Sequence, residues 1–114
     1  MRYEMNLNPL PFKVMKKGLK TIEMRLKDER RKGIKAGDEI VFTQTETKEQ
    51  LLVEIIDVYP YKDFKELYKS FDKTELGYEI DEPFSYEDMY EYYSKELIEK
   101  YGVLAIRIKQ KRTA

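Results

Sequence analysis

Residues 50–59 constrain the fold of this chain more than any other stretch, because Leu51, Leu52, Val53, Ile55, Ile56 and Val58 place apolar side chains at both parities of an extended segment. Successive residues of a strand point to opposite faces, so this one has to be covered on both sides and is expected at the centre of a sheet, with Pro60 closing it. Four further strands are predicted around it. Residues 1–7 alternate, with Met1, Tyr3, Met5 and Leu7 at one parity, until Asn8-Pro9-Leu10-Pro11 removes the ladder donors. Residues 39–43 are β-branched and aromatic after a Gly37-Asp38 turn signal, and a polar loop at residues 46–49 returns the chain into residues 50–59. Residues 103–109 set Leu104, Ile106 and Ile108 against Ala105 and Arg107. The remaining candidate, residues 18–26, carries Ile22, Met24 and Leu26 on one face and Thr21, Glu23 and Arg25 on the other. One face is expected to pack and the other to offer chemistry.

Helical spacing fills the intervals. Phe12, Val14 and Met15, with Lys13, Lys16 and Lys17 between them, predict a short helix opened by Pro11 and closed by Gly18. A helical turn is expected from Asp28, where acidic residues come first and basic ones last. Phe64, Leu67, Tyr68 and Phe71 recur at helical spacing over residues 63–71. Residues 72–84 are irregular and acidic, punctuated by Gly77 and Pro83. Ser85 followed by Asp88 is a capping signature for a helix over Met89, Tyr92 and Tyr93, restarted at Lys95 and ended by Gly102. The pattern predicts one α+β domain over residues 1–114, built on a small barrel or curved sheet of about five to six mostly antiparallel strands. Its inserted helices are expected on one side, and residues 110–114 as a frayed basic tail.

Composition narrows the chemistry. The chain has no cysteine and no histidine, which excludes disulfides, thiolate nucleophiles, Ser-His-Asp devices and the usual zinc ligand sets. No metal and no cofactor are expected, and acid–base work falls to Lys, Glu, Asp or Tyr. No apolar run approaches the roughly 20 residues of a membrane span, and the N-terminus lacks a signal-peptide pattern. A cytoplasmic protein without a membrane partner is expected, and nothing in the pattern indicates an oligomeric state. The 22 basic and 22 acidic residues balance but segregate: residues 1–37 hold 11 Lys/Arg against 4 Asp/Glu, residues 71–100 hold 3 against 10, and residues 101–114 hold 4 against none. If the termini are neighbours they form a positive face for an anionic ligand. The alternative is a charge-rich surface that keeps a small protein soluble.

Within residues 18–26, Glu23 and Arg25 fall on one face, about 7 Å apart along the strand. A carboxylate beside a guanidinium stays ionised and oriented, so Glu23 is a candidate acceptor or base and Arg25 a candidate anchor. The competing interpretation is a surface ion pair of little worth. Lys20 is at the other parity and leaves that face unless a turn at Gly18-Leu19 resets the alternation. Arg30, Arg31, Lys32 and Lys35, with Lys27 just before them, can bind phosphate or simply solvate a loop. Tyr86, Tyr90, Tyr92, Tyr93 and Tyr101 crowd one region, first of all as a core stripe and alternatively as surfaces on which bases stack. Glu79, Asp81 and Glu82 offer a second carboxylate to a site or solvate the acidic loop.

Gly18-Leu19-Lys20-Thr21-Ile22-Glu23-Met24-Arg25-Leu26, then Asp28-Glu29-Arg30, then Ile34-Lys35-Ala36-Gly37-Asp38-Glu39-Ile40-Val41-Phe42, resembles the ASCH domain family, and the likeness extends over most of the chain. It implies a PUA-like barrel with a cleft beside the signature strand and an RNA or nucleotide ligand. The ligand-binding set carried over is Lys20, Glu23 and Arg25, with Arg30, Arg31 and Lys35 nearby for phosphate. One branch of the family hydrolyses the acetyl amide of N4-acetylcytidine with a lysine, a threonine three residues on and a distant glutamate. Lys20 matches the lysine, Glu23 stands at the threonine position, and Glu82 falls near the glutamate. The resemblance thus also implies an alternative, a metal-independent amidohydrolase on an acylated nucleoside with Lys20, Glu23 and Glu82 as its catalytic groups. Position 23, a carboxylate in place of a hydroxyl, separates the two.

Overall fold

A computed structural model describes residues 1–111. The elements run β1 (Arg2–Leu7), α1 (Pro9–Lys16), β2 (Ile22–Leu26), β3 (Glu39–Gln44), β4 (Gln50–Tyr61), α2 (Phe64–Tyr68), a 3-10 helix (Tyr86–Glu91), α3 (Lys95–Tyr101) and β5 (Val103–Gln110). The strands form one sheet in the order β1-β3-β4-β5-β2, with β4 at the centre as its two apolar faces demand. β3–β4, β4–β5 and β5–β2 pair antiparallel, and β1–β3 is parallel. Although β1 and β2 are the outermost strands, Arg25 on β2 donates from Nη2 to the Asn6 carbonyl on β1 at 2.7 Å. The sheet is therefore curled into a half-barrel whose open seam is bridged by one side chain. This is the expected α+β, PUA-like architecture.

Paired residues on adjacent strands share a face, so register assigns each side chain to a layer. Glu23 lies opposite Ile106 and Arg25 opposite Leu104, on the concave side. There Ile106 and Leu104 pack with Met5, Phe42, Val53 and Ile55. Ile22, Met24 and Leu26 face the other way and bury against Phe64, Leu67, Leu76 and Ile98. β2 is thus covered on both faces, where alternation alone predicts a half-buried strand.

The helices do not all fall on one side. Phe12 and Met15 of α1 join the concave core, whereas α2 and α3 cover the convex face. Helix α1 starts at Pro9, two residues before the expected start, because a proline in the first turn forfeits no intrahelical bond. β4 continues through Pro60 to Tyr61: beyond Ile55 the strand paired with it is β5 alone, and a residue without N–H fits a strand with one free edge. A bulge at Ile56 shifts its register. Residues 86–91 form a 3-10 helix in place of the expected α-helix. Ser85 Oγ accepts from the Glu87 amide at 3.1 Å, but the Asp88 carboxylate is taken by the Tyr78 hydroxyl at 2.7 Å and gives no reciprocal cap. Helix α2 ends at Tyr68, and Phe71 packs instead on Tyr59 and Tyr61. The turn expected from Asp28 is a hydrogen-bonded turn without helix.

Gln110 belongs to β5 and the Lys111 amide bonds the Leu52 carbonyl at 3.0 Å, so the expected frayed tail is paired this far; residues 112–114 lie outside the described residues. Both ends do meet, at Glu39, which takes Arg2 at 3.0 Å and Lys111 at 2.5 Å. That carboxylate compensates the positive charge expected to make a binding face there.

Candidate functional site

The site begins where α1 hands over to β2. Gly18 (φ +81°) turns the chain, and the Leu19 and Lys20 amides bond the Val14 carbonyl, so residues 18–20 close the helix and the strand begins only at Ile22. The turn resets the alternation and brings Lys20 to the face of Glu23. Lys20 Nζ donates to the carbonyls of Ile22 at 2.8 Å and Leu76 at 3.1 Å, and stands 3.4 Å from Glu23 Oε1. The other carboxylate oxygen of Glu23 accepts from Arg25 Nε at 2.8 Å, with Nη2 at 2.7 Å. Lys20 is 5% exposed and Glu23 4%, so this is a buried triad and not a surface ion pair.

Burial makes each charge expensive, and the neighbours decide which survive. For Glu23, burial pushes the pKa up, but Arg25 and then Lys20 outweigh it and hold the carboxyl below its ordinary value. For Lys20, burial wins and pulls the pKa down, with Glu23 offsetting part of the fall. Its Nζ keeps two carbonyl acceptors and the neighbouring Glu23 carboxylate, surroundings that favour the ammonium form against that fall. Burial acts to lower the Arg25 pKa; Glu23 and, after it, Tyr93 reverse this and raise it.

A loop sews the triad in place. The Glu75 carbonyl accepts from the Thr21 and Ile22 amides, each at 3.0 Å, and the next carbonyl, Leu76, takes Lys20. Gly77 follows at φ +103°, and a Cβ there meets Lys20 Cδ at 3.1 Å. Only glycine both adopts this backbone and leaves room for the lysine stem.

The triad floors a cavity of about 510 Å³ in the seam between β1 and β2. Asn6, Asn8 and Leu10 line it on the β1–α1 side, and Tyr92 and Tyr93 on the side of the 3-10 helix. Behind them the Tyr68 hydroxyl lies 2.8 Å from that of Tyr78, which donates to Asp88 Oδ2. Since Tyr78 donates to the carboxylate, Tyr68 donates to Tyr78. Burial pushes the Tyr68 pKa up to about 12 and raises that of Tyr78 further, so both remain donors. Four carboxylates (Glu23, Glu82, Asp88, Glu91) and two cations (Lys20, Arg25) line the cavity. The cleft is richer in acceptors than in positive charge.

Of the residues singled out from the sequence, Lys20, Glu23, Arg25 and Glu82 line this one cavity, and Arg30, Arg31 and Lys35 do not. Arg31 pairs with Asp28 at 3.0 Å, and Lys35 lies on a separate depression. Asn6, Tyr68, Tyr78 and Asp88 are cleft residues that no sequence pattern marks as such; the signals there are Tyr68 at helical spacing, Gly77 as punctuation and Asp88 as a helix cap. The tyrosine stripe divides: Met89 is buried, Tyr93 half-buried, and Tyr92 is 57% exposed at the cleft. Among the described residues no group of three or more acidic side chains is placed to hold a metal.

The family model described as the ASCH domain matches residues 5–112. This chain belongs to the ASCH domain family. The crystal structure of hypothetical protein PH0355 aligns with this ASCH domain at a TM-score of 0.82 and 33% identity, covering 97% of this chain and 100% of that one. The solution NMR structure of a Pyrococcus furiosus protein gives 0.69 and 32%, covering 99% and 100%. The crystal structure of ASCH from Zymomonas mobilis shares the fold at 0.64 and 16%, with 93% of this chain and 65% of that one covered. No curated protein matches the ASCH domain described here.

Proposed function

We propose that this ASCH domain binds the base of an RNA segment or of a nucleoside-like ligand in the cleft between β1 and β2, with Glu23 accepting from a base amino group. The observation that carries this is a carboxylate kept ionised under burial and opening on a cavity. Its two oxygens offer about four lone-pair positions, of which Arg25 and Lys20 occupy only part. Arg25 commits Nε and Nη2 to Glu23 and Asn6 and lines the cavity beside Tyr93. Tyr92 supplies an exposed ring for stacking. Lys20, donating to two carbonyls beside Glu23, positions that carboxylate and the loop. The excess of carboxylates in the lining favours a hydrogen-bond-donating base edge and ribose over phosphate.

The hydrolytic alternative draws on the same cavity, since Lys20, Glu23 and Glu82 all line it. Lys20 Nζ donates to two buried carbonyls beside the Glu23 carboxylate, which places it poorly for attack on a ligand in the cavity, so we favour binding without hydrolysis. Titrating isotope-labelled protein with cytidine and with a short single-stranded RNA tests it. Amide shifts at Glu23, Met24, Gly77 and Tyr92 are expected. Shifts confined to the opposite face of the sheet contradict the assignment, and acetate release from N4-acetylcytidine that Lys20→Ala abolishes replaces it with the hydrolytic one.

A further inference from the structure

The end of β2 away from the cleft carries a second concavity of opposite charge. Its volume is about 330 Å³, and it shares no lining residue with the cleft. Buried Ile34 and Leu104 line it with Val58, and Lys27, Lys32 and Lys35 edge it against a single carboxylate, Asp57. Lys27 and Lys35 form no ion pair among the described residues, and Lys32 pairs only with Glu29, a contact at 2.8 Å between two exposed side chains. Such a pair is worth little and exchanges readily. Asp57 turns one oxygen back onto the Val58 amide at 2.9 Å, immediately after the bulge at Ile56.

The lysines sit on a fixed frame, not on a solvated loop free to spread. The buried Asp38 carboxylate accepts from the Lys35 amide at 3.1 Å, the Ile55 amide bonds the Asp38 carbonyl at 2.8 Å, and the Gly37 amide bonds the Ile55 carbonyl at 2.9 Å. On the other rim, the Lys32 amide bonds Asp28 and the Ile34 amide bonds Arg31. Lys27 is held by its amide to the Gly102 carbonyl at 3.0 Å. The backbones of three lysines are thereby fixed around an apolar floor, and their charge has little internal compensation.

We propose that this groove is a separate binding site for a phosphate ester. The phosphate sits among Lys27, Lys32 and Lys35, and the ribose or base of the same residue covers Ile34, Val58 and Leu104. Inorganic phosphate uses only half of such a site. The proposal does not depend on what fills the cleft: the two share no lining residue and their charge preferences are opposite, although Arg25 of the cleft and Lys27 of the groove stand only about 7 Å apart along the chain. The phosphate ester comes either from a free nucleotide or from a strand whose base occupies the cleft.

The test is an amide-shift titration of labelled protein with cytidine 5′-monophosphate, cytidine, inorganic phosphate and a short single-stranded RNA, on wild type and on Lys27→Ala/Lys35→Ala. Both lysines are exposed, so the variant keeps the fold, and its spectrum verifies this. The monophosphate or the RNA is expected to shift Lys27, Lys32, Lys35 and Val58, whereas cytidine leaves them unmoved and inorganic phosphate binds more weakly. The double variant is expected to weaken this binding at least roughly tenfold and, for RNA, to lower the slope of log K against log salt by about 1.4. Groove shifts with RNA alone assign the phosphate to a strand; shifts with the monophosphate as well assign it to a free nucleotide. No groove shift with either ligand, or shifts that survive in the double variant, overturn the proposal. Cytidine shifts at Glu23 alongside a silent groove sink this inference and leave the cleft reading intact; the converse outcome does the reverse.

Discussion

Replacing Lys20 by methionine isolates the buried triad, because the side chain keeps its length beneath Gly77 and loses only the ammonium. Two buried carbonyls, Ile22 and Leu76, lose their donor. An orphaned acceptor costs about 1 kcal/mol or somewhat more, so this part comes to about 2 kcal/mol. Breaking a buried ion pair costs about 3–5 kcal/mol when the remaining charge has no partner. Glu23 keeps Arg25, so only a fraction of that, about 1 kcal/mol, is added. The expected loss is about 3 kcal/mol out of the roughly 5–15 kcal/mol of a small domain. With a urea slope of about 1.5 kcal/mol/M, the unfolding midpoint drops by roughly 2 M. Equilibrium urea unfolding of Lys20→Met, Glu23→Gln and the double variant measures both the loss and the coupling, which is expected to exceed about 1 kcal/mol because the residues touch. A Lys20→Met variant within about 0.5 kcal/mol of wild type, or additive single effects, refutes the buried network.

Gly77→Ala forces a Cβ into a backbone at φ +103° and to within 3.1 Å of Lys20 Cδ; a destabilisation of about 1–3 kcal/mol is expected in the same urea assay. Because the Glu23 pKa is held below its ordinary value, its stabilising effect is complete above the unfolded pKa of about 4.3 and is lost as pH falls through the folded one. Glu23→Gln should flatten that acid limb of a stability–pH profile. At the alkaline end the sign reverses: Tyr68, raised to about 12, contributes stability below pH about 10 that disappears between about 10 and 12, and Tyr68→Phe should lessen this decline, with Tyr78 supplying the remainder. Ser94 Oγ caps α3 through the Leu97 amide at 3.2 Å, and Ser94→Ala is expected to cost about 1 kcal/mol by thermal unfolding.

What the sequence disclosed and what it hid have separate physical causes. Strands are legible when parity is unambiguous, and β4, β5 and β3 came out near their observed bounds because apolar residues at two parities leave few alternatives. The ends of elements were less legible, since Pro9 and Pro60 each cost only one donor, and whether that donor was needed depends on neighbours that no local pattern shows. The site divides similarly. Glu23 and Arg25 share a face by simple alternation, whereas Lys20 reached them only through a turn that ends α1, and Leu76 and Gly77 completed its surroundings from more than 50 residues away. Tyr68, Tyr78 and Asp88 meet only in the fold, across three segments. The basic cluster was visible as composition, but its distance from the cleft follows from the direction in which β2 runs.

The account rests on Glu23 as the acceptor for a base amino group, and calorimetric comparison of cytidine with uridine tests it most directly, since the amino group beside an N3 acceptor in cytidine becomes a carbonyl beside an N3–H in uridine. A carboxylate accepts from the amino group and repels the carbonyl that replaces it, a discrimination of about 1–3 kcal/mol, or roughly 5- to 150-fold. Wild type is expected to prefer cytidine by that margin, and Glu23→Gln, whose amide can donate, to lose or invert the preference. Equal affinity of wild type for the two nucleosides, or a preference untouched by Glu23→Gln, contradicts the claim.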